Sequence, residues 1–242
     1  MADSRYNFSL TTFDKSGRLG QIDHALKAVE NGDTTLGIRA GNGVVLATKK
    51  VLATTLVDEA SVQQIAIIAD HVGIAYAGMG PDFRVLVKHG QKIAQKYKRT
   101  YGEPIPVLEL VRGVARTMQE FTQSGGVRPF GVSLLVAGWD QVEGPSLYQV
   151  DPSGTYFGWK ASAVGKEQAA AKAFLEKRFD DDMDVDDAVH TSIMTLREGF
   201  EGEVTASNIE IAMAVPDESC PAGGRFMVLP VAEVGDYLDE GE

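Results

Sequence analysis

The chain has 242 residues, of which 44% are hydrophobic, and its 34 acidic and 23 basic side chains give a net charge of −11. This composition is typical of a globular protein, and the length favours one large domain spanning 1–242 over two small ones. The acidic balance argues against a general nucleic-acid-binding protein, and no apolar run is long enough to predict a membrane span.

Two features favour a reducing compartment. The single cysteine, Cys220, excludes an internal disulfide. The first residues lack the apolar stretch that a secretory signal peptide requires.

The first predicted helix spans residues 18–31, because Leu19, Ile22, Leu26 and Val29 recur at steps of three and four residues and form one apolar stripe. This helix precedes every predicted core strand. We therefore expect the stripe to contact a neighbouring chain, with a place in the chain's own core as the alternative.

Hairpin signals and helical periodicity predict the remaining elements. Asn42-Gly43, for example, suits a tight hairpin turn, because both central residues of such a turn need a positive φ. The predicted strands are 36–40, 44–48, 64–69, 72–78, 132–138, 146–150, 155–161, 208–215 and 225–229. The later predicted helices are 81–101, 106 to the turn at 124–126, 166–179, 186–200 and 231–238.

The order of these elements indicates an α+β fold. Helices occur in consecutive pairs between groups of hairpin-linked strands, whereas a parallel sheet would need strands and helices to alternate. The order therefore predicts a four-layer αββα sandwich of two antiparallel sheets with a helix pair on each outer face.

No motif predicts a cofactor or a metal ion. The histidines have no second His or Cys at metal-ligand spacing, so we interpret them as surface or packing residues; they are His24, His71, His89 and His190. The acidic run 180–187 lacks the glycine and the glutamate of a calcium loop. We expect a solvated loop whose last acids face the positive end of the next helix. Gly165-Lys166-Glu167 lacks the rest of a phosphate-binding loop.

Several sequence blocks carry a family resemblance. They are YNFSLTTF (6–13), SGRLGQIDHA (16–25), GVVLATKK (43–50), GMGPDFRVLV (78–87), GGVRPFGVSLL (125–135), DPSGTYFGWKASAVGK (151–166) and FLEKRF (174–179). Together they resemble the proteasome alpha subunits over nearly the whole chain. The resemblance implies the αββα fold of N-terminal-nucleophile hydrolases over 33–238, an N-terminal ring-contact helix at 18–31 outside the sandwich, and a gate tail at 1–12.

One segment resembles the start of a catalytic beta subunit, in which a terminal threonine is the nucleophile. Aligning Gly37 of Thr34-Thr35-Leu36-Gly37 with the family glycine places Asp33 at the nucleophile. The same alignment places Lys49 at the catalytic acid and Gln64 at the catalytic lysine. Because all three groups are wrong for the chemistry, the resemblance implies a chain with no catalytic residue.

The implied function is that of a non-catalytic structural subunit of the 20S proteasome alpha ring, in the cytoplasm and nucleus. It would serve ring assembly, axial gating and docking of regulatory particles in ubiquitin-dependent and -independent protein degradation. The implied partners are neighbouring alpha subunits, beta-ring subunits and activators, without nucleic acid or membrane. The competing hypotheses are an active threonine hydrolase and a free-standing acidic binding domain.

The resemblance also assigns site residues. The gate tail contains Tyr6, Asn7 and Phe8, and the wall of the activator pocket contains Gly17, Leu19, Gly32, Gln64 and Gly78. For the glycines the alternative is backbone geometry alone. Gln64 replaces the family lysine that pairs with an activator's terminal carboxylate, so we expect weak docking on this chain's side of the pocket.

The cluster that holds the family's gate open is also altered. Tyr6 is kept, but Asn7, Lys15 and His24 stand where the family has aspartate, proline and tyrosine. We therefore expect this chain to contribute little to holding the gate open.

Overall fold

Two antiparallel sheets of five strands each form the centre of the molecule. The computed structural model describes residues 13–51, 54, 56–199 and 204–240. Helices cover both outer faces, so the predicted αββα sandwich is confirmed. None of the described helices combines the length and the apolar composition that crossing a membrane requires.

The helices and strands agree with most of the predicted boundaries to within about two residues. The helices are α1 (Gly20–Glu30), α2 (Gly80–Tyr101), α3 (Val107–Gln123), α4 (Gln168–Arg178), α5 (Val185–Glu198) and α6 (Val231–Glu240). The strands are β1 (Thr35–Ala40), β2 (Gly43–Lys49), β3 (Ile65–Ala69), β4 (Val72–Gly78), β5 (Val132–Asp140), β6 (Gly144–Val150), β7 (Tyr156–Gly158), β8 (Ala161–Val164), β9 (Ile209–Pro216) and β10 (Gly224–Val228).

The strand order places the β1–β2 hairpin in one sheet and the β3–β4 hairpin in the other. The first sheet runs β10-β9-β2-β1-β8 and the second runs β3-β4-β5-β6-β7. The β1–β2 hairpin is confirmed, but Asn42 and Gly43 are not its two central turn residues. Ala40 lies opposite Gly43, so the turn consists of Gly41 and Asn42, and Gly43 begins β2 without a positive φ. Antiparallel pairing leaves side chains on both faces of each sheet, and both faces are buried because helices cover the outer ones.

The hydrophobic core has three layers. One layer lies between the first sheet and helices α4, α5 and α6, with Leu36 and Ile211 as buried members. A second lies between the second sheet and helices α2 and α3, with Leu86 and Leu134. The third lies between the two sheets.

The predicted single strand 155–161 is wrong. Residues 156–158 form β7 at the edge of the second sheet, and residues 161–164 form β8 at the edge of the first. The chain crosses between the sheets at Trp159 and Lys160: the Trp159 N–H donates to Leu147 O of β6 at 2.9 Å, and Lys160 O accepts from Arg39 N of β1 at 2.7 Å. Strand propensity continues through this crossing, so only the two different pairing partners reveal it.

Helix α1 packs partly on its own chain. Ala25 and Val29 are buried, and Val29, 4% exposed, belongs to the layer between the two sheets. The prediction that Val29 contacts a neighbouring chain is therefore wrong, because its side chain fills the chain's own core. Leu19 and Ile22 are half-buried and Leu26 is exposed, so these three stay candidate ring contacts.

Candidate functional site

The segment before β1 is where a threonine hydrolase of this fold would carry its nucleophile. Thr34 is only 3% exposed. Its hydroxyl donates to Glu167 Oε2 and accepts from the Glu167 N–H at 3.2 Å. A hydroxyl that is buried and bonded to a carboxylate offers no accessible nucleophile.

Thr35 is also fixed by hydrogen bonds. Its hydroxyl donates to Tyr76 O at 2.7 Å and lies 2.7 Å from the Thr48 hydroxyl. Both threonines follow helix α1 in a continuous chain, so each has a backbone amide in place of the free α-amine that acts as base in this chemistry. Removing the residues before Thr34 would also remove Val29 from the core.

Lys49 ends the fully buried strand β2, and its charge has a specific partner. The ammonium lies 3.3 Å from Glu167 Oε2 and also donates to Gly199 O. Burial raises the pKa of Glu167, but the hydrogen bond from Thr34 and the charge of Lys49 together lower it below its ordinary value. We call Thr34, Lys49 and Glu167 the buried triad. It joins the start of β1 and the end of β2 to the start of α4 and, through Gly199 O, to the end of α5.

The position of the missing catalytic lysine is equally changed. Gln64 is 7% exposed, and its backbone N–H donates to Glu210 Oε2 at 2.9 Å. Burial raises the pKa of Glu210, although backbone hydrogen bonds and Lys50 oppose this effect. Burial also raises the pKa of the neighbouring Tyr76, with a smaller contribution from Asp33. The position at which the reaction needs a lysine therefore holds a buried, neutral amide.

The residues assigned to the activator pocket fall into two groups. A side-chain carbon added to Gly32 would lie 2.2 Å from Gly78 N, and Gly78 has a φ of +117°. Backbone packing therefore explains these two glycines without a ligand. Gly17 and Leu19 lie before α1, about 15 Å along the helix axis from Gly32. No described contact joins the two groups, and a shared pocket stays a prediction.

The gate residues Tyr6, Asn7 and Phe8 lie outside the described residues. Of the positions that replace the family's gate cluster, Lys15 and His24 are described, and both are exposed. Next to Lys15, Asp14 Oδ1 accepts hydrogen bonds from Ser16 N at 2.8 Å and Arg18 N at 2.9 Å, which fixes the turn into α1.

The four histidines occupy separate places. His71 is buried and its Nε2 lies 2.8 Å from Ile105 O, and His89 lies 2.7 Å from the Thr117 hydroxyl. His190 faces Tyr237, and His24 is exposed. Among the residues that the structure describes, no cluster of His, Cys, Asp and Glu has a geometry that could hold a metal ion.

The acidic run has the role expected of it. Asp184 caps α5, since its Oδ1 accepts from Asp187 N at 2.9 Å, and Asp186 accepts from the Tyr237 hydroxyl at 2.7 Å. Asp186 and Asp187 lie in the first turn of α5, near the positive end of the helix. The expectation that the last acids of this run face the positive end of the next helix is confirmed.

These observations first define the class of protein to which the chain belongs. The chain has the αββα fold of the N-terminal-nucleophile hydrolases. Of the three positions that the alignment assigns to catalytic groups, Asp33, Lys49 and Gln64, the second belongs to the buried triad and its charge is paired with Glu167. Sequence comparison then identifies the family: the model described as "Proteasome subunit" matches residues 29–214. The chain belongs to the proteasome subunit family.

Its relatives place it among the alpha subunits. It is 61% identical to "Proteasome subunit alpha type-2-A" of Arabidopsis thaliana and 60% identical to "Proteasome subunit alpha type-2" of Oryza sativa subsp. japonica, each over 242 residues and 100% of both chains. It is 55% identical to the alpha type-2 subunit of Dictyostelium discoideum over 236 residues and 98% of both chains. The blocks 6–13 and 125–135 favour the type-2 subunit among the alpha types. That prediction and the expected non-catalytic alpha type are confirmed.

Sequence reasoning missed the buried triad. The sequence identifies Lys49 only as a residue unsuited to the position of the catalytic acid, and Glu167 only as part of a segment that lacks the rest of a phosphate-binding loop. The signal was present, because a lysine that ends a buried strand needs a carboxylate or a carbonyl partner. The partner itself is 118 residues away, which no local pattern indicates.

Proposed function

We propose that this chain is a non-catalytic structural subunit of the 20S proteasome alpha ring. The observation that carries the proposal is the full-length identity of 61% to an alpha type-2 subunit. The buried triad supports it, because Lys49, at the position of the catalytic acid, is paired with Glu167 inside the fold. By the family resemblance, the chain assembles with neighbouring alpha subunits and with the beta ring.

Purification of the endogenous particle through a tag on this chain tests the proposal. Native mass spectrometry should show the chain in a large assembly with other proteasome subunits. Its intact mass should exclude a start at Thr34 or Thr35, and a threonine-directed covalent inhibitor should label other subunits only. A monomeric chain, or a trimmed and labelled one, would overturn the proposal.

We also propose that the tail containing Tyr6, Asn7 and Phe8 helps to close the axial pore while contributing little to the open state. Deleting residues 1–12 should raise the basal peptide hydrolysis of the purified particle. In an activator-bound particle, an upright tail ordered through Tyr6 and Asn7 in electron microscopy would contradict the second part.

For activator docking, we propose that this chain provides a weak half of the pocket. Gln64 exposes little surface and has no charge to pair with a terminal carboxylate. Gln64→Lys should therefore strengthen binding of an activator's C-terminal peptide to the particle, whereas the neighbouring Gln63→Lys should not. Equal effects of the two variants would show that general charge, and not the pocket position, decides binding.

We propose a location in the cytoplasm and the nucleus, in keeping with the single buried cysteine. Fractionation of cells that express the tagged chain at its endogenous level tests this. Recovery from a secretory or membrane fraction would contradict it.

A further inference from the structure

A small cavity lies beside the point where the chain crosses from β7 to β8. Its volume is about 210 Å³, and its walls include Trp159 from the crossing and Lys172, Leu175 and Phe179 from α4 and its C-terminal end. Leu175 is buried, and Trp159 and Phe179 are half-buried. Pockets for drug-sized ligands have volumes of roughly 300–1,000 Å³, so this cavity suits a smaller molecule with an apolar body.

Lys172 places a positive charge against these apolar walls. It is half-buried, and its ammonium lies 5.1 Å from the centroid of the Trp159 ring. Burial lowers the pKa of Lys172 below its ordinary 10.5. Glu176 follows four residues later on α4, at a spacing that permits an ion pair. No ion pair joins the two, however, and no other carboxylate of the described residues pairs with Lys172.

The indole of Trp159 carries a second donor. Its Nε1 atom is buried and has no hydrogen-bond acceptor among the residues that the structure describes. The rest of Trp159 is fixed, because its backbone N–H donates to Leu147 O at 2.9 Å and its ring packs against the layer between the two sheets. A buried N–H without an acceptor is unfavourable and is rare in folded proteins.

These two donors belong to residues that line the same cavity. One carboxylate has two oxygens, and it can accept from an ammonium and from an indole N–H at the same time. The indole N–H is covered by protein atoms, so an acceptor reaches it only after a side chain rotates. Lys172 lies over the indole and can rotate, because no ion pair holds its ammonium. A ligand with a carboxylate would therefore provide an acceptor for both donors.

The other charges around the cavity favour a ligand with a single negative charge. Lys160 also lines the wall, but it is already paired with Asp181 at 2.7 Å. The exposed carboxylate of Glu176 borders the cavity and would repel a doubly charged phosphate more strongly than a carboxylate. A monocarboxylate therefore fits this cavity better than a phosphate.

We propose that this cavity binds a small organic acid that has one carboxylate and an apolar body. The carboxylate accepts hydrogen bonds from the Lys172 ammonium and from the Trp159 indole N–H. The apolar body lies against Leu175 and Phe179. The inference goes beyond the proposed function and does not depend on it, because the cavity is formed by this chain alone.

Titration of the full chain with phenylacetate, followed by NMR of isotope-labelled indole nitrogens, tests the proposal. The sequence has two tryptophans, so Trp139 provides an internal reference. The indole N–H resonance of Trp159 should move downfield and saturate, because this N–H gains an acceptor, whereas that of Trp139 should stay in place. Phenylacetamide has the same ring but no charge, and it should bind roughly tenfold more weakly. The absence of a saturable shift at Trp159, or equal affinity for the two probes, would overturn the proposal.

Charge variants provide a second measurement. Lys172→Met keeps an unbranched side chain but removes the charge, so it should weaken phenylacetate binding roughly tenfold, whereas Lys172→Arg should retain most of the affinity. Lys177→Met, at an exposed position of the same helix, is the matched control and should bind normally. Because Lys172→Met removes a half-buried charge, thermal unfolding of the isolated chain should show no loss of stability. Unchanged affinity in Lys172→Met, or an equal loss in Lys177→Met, contradicts the assigned role of Lys172.

Equilibrium dialysis of the endogenous particle with radiolabelled phenylacetate distinguishes two sources of the carboxylate. Binding to wild-type particles that falls in particles carrying Lys172→Met would support a free organic acid. Binding to the free chain but not to the particle would mean that an acidic side chain of another subunit covers the cavity, and would overturn the assignment of a free ligand. A wild-type chain found in no particle would overturn the proposed function, whereas the titration of the free chain decides this inference separately.

Discussion

The buried triad predicts that removing one of its two charges lowers the free energy of unfolding more than removing the other. The Lys49 side chain is 9% exposed and that of Glu167 is 26% exposed, and the two charged groups lie 3.3 Å apart. Removing one member of a buried pair costs about 3–5 kcal/mol when the remaining charge stays fully buried, and less when water reaches it. The cost therefore depends on which charge remains.

Glu167→Gln leaves the more buried charge. Lys49 would keep the carbonyl of Gly199 but lose its carboxylate. We expect the free energy of unfolding to fall by about 2–3 kcal/mol, since the new amide oxygen still accepts a hydrogen bond. Lys49→Met leaves the more exposed charge, the Glu167 carboxylate, which still accepts the hydrogen bond from Thr34. This variant should lower the free energy of unfolding by about 1 kcal/mol. The double variant should cost less than the two single costs together, by about 1–2 kcal/mol.

Urea unfolding of the isolated chain, followed by circular dichroism at neutral pH, measures all three values. The pH dependence provides an independent measurement. Because the pKa of Glu167 is lowered on folding from its ordinary 4.5, its contribution is present above that value and lost as the pH falls through the folded pKa. Glu167→Gln should therefore lose less stability than the wild type between about pH 5 and pH 3. A Lys49→Met variant as unstable as Glu167→Gln would refute the reasoning from burial.

Three further predictions concern the scaffold around the site. Gly32→Ala should destabilise the chain by about 2 kcal/mol or more, because the methyl group meets a neighbouring backbone, whereas Gly125→Ala, which meets nothing within 4 Å, should be neutral in the same urea titration. Burial lowers the pKa of His71 below 6.5, so stability should decline as the pH falls below that value, and His71→Asn should flatten the decline in thermal unfolding between about pH 6.5 and pH 5. Asp82→Asn should cost about 1.5–3 kcal/mol by losing the charged hydrogen bonds from Arg128, and an Arg128→Lys variant with little or no loss of stability would show that charge alone, without the two-point geometry, is sufficient.

Local sequence patterns predicted most of the fold because they record local physics. The three- and four-residue steps of α1 specify a helix from its own neighbours in sequence, and the segment Gly41-Asn42-Gly43 specifies a hairpin whose turn lies one residue earlier than predicted. The strand 155–161 failed for the opposite reason. Its residues favour extended structure throughout, and only pairing with β6 on one side and β1 on the other divides it.

The same distinction between local patterns and distant partners applies to the functional residues. The apolar stripe of α1 was found, but its pattern does not say whether the partner is the chain's own core or another chain. The structure assigns Val29 to the core and leaves Leu26 exposed.

The buried triad explains how one fold can hold a reaction in some family members and none in this chain. The end of the sandwich where β1 and β2 meet α4 and α5 has to accommodate polar backbone groups and charges. A catalytic site at this end keeps its nucleophile accessible and leaves polar groups unpaired for the substrate. In this chain Lys49 and Glu167 neutralise each other, and Thr34 completes the bonding of the carboxylate. Lys49, at the position of the catalytic acid, is thus used to join β2 to the start of α4 and the end of α5, and the surfaces that remain available for function are those on the outside of the helices.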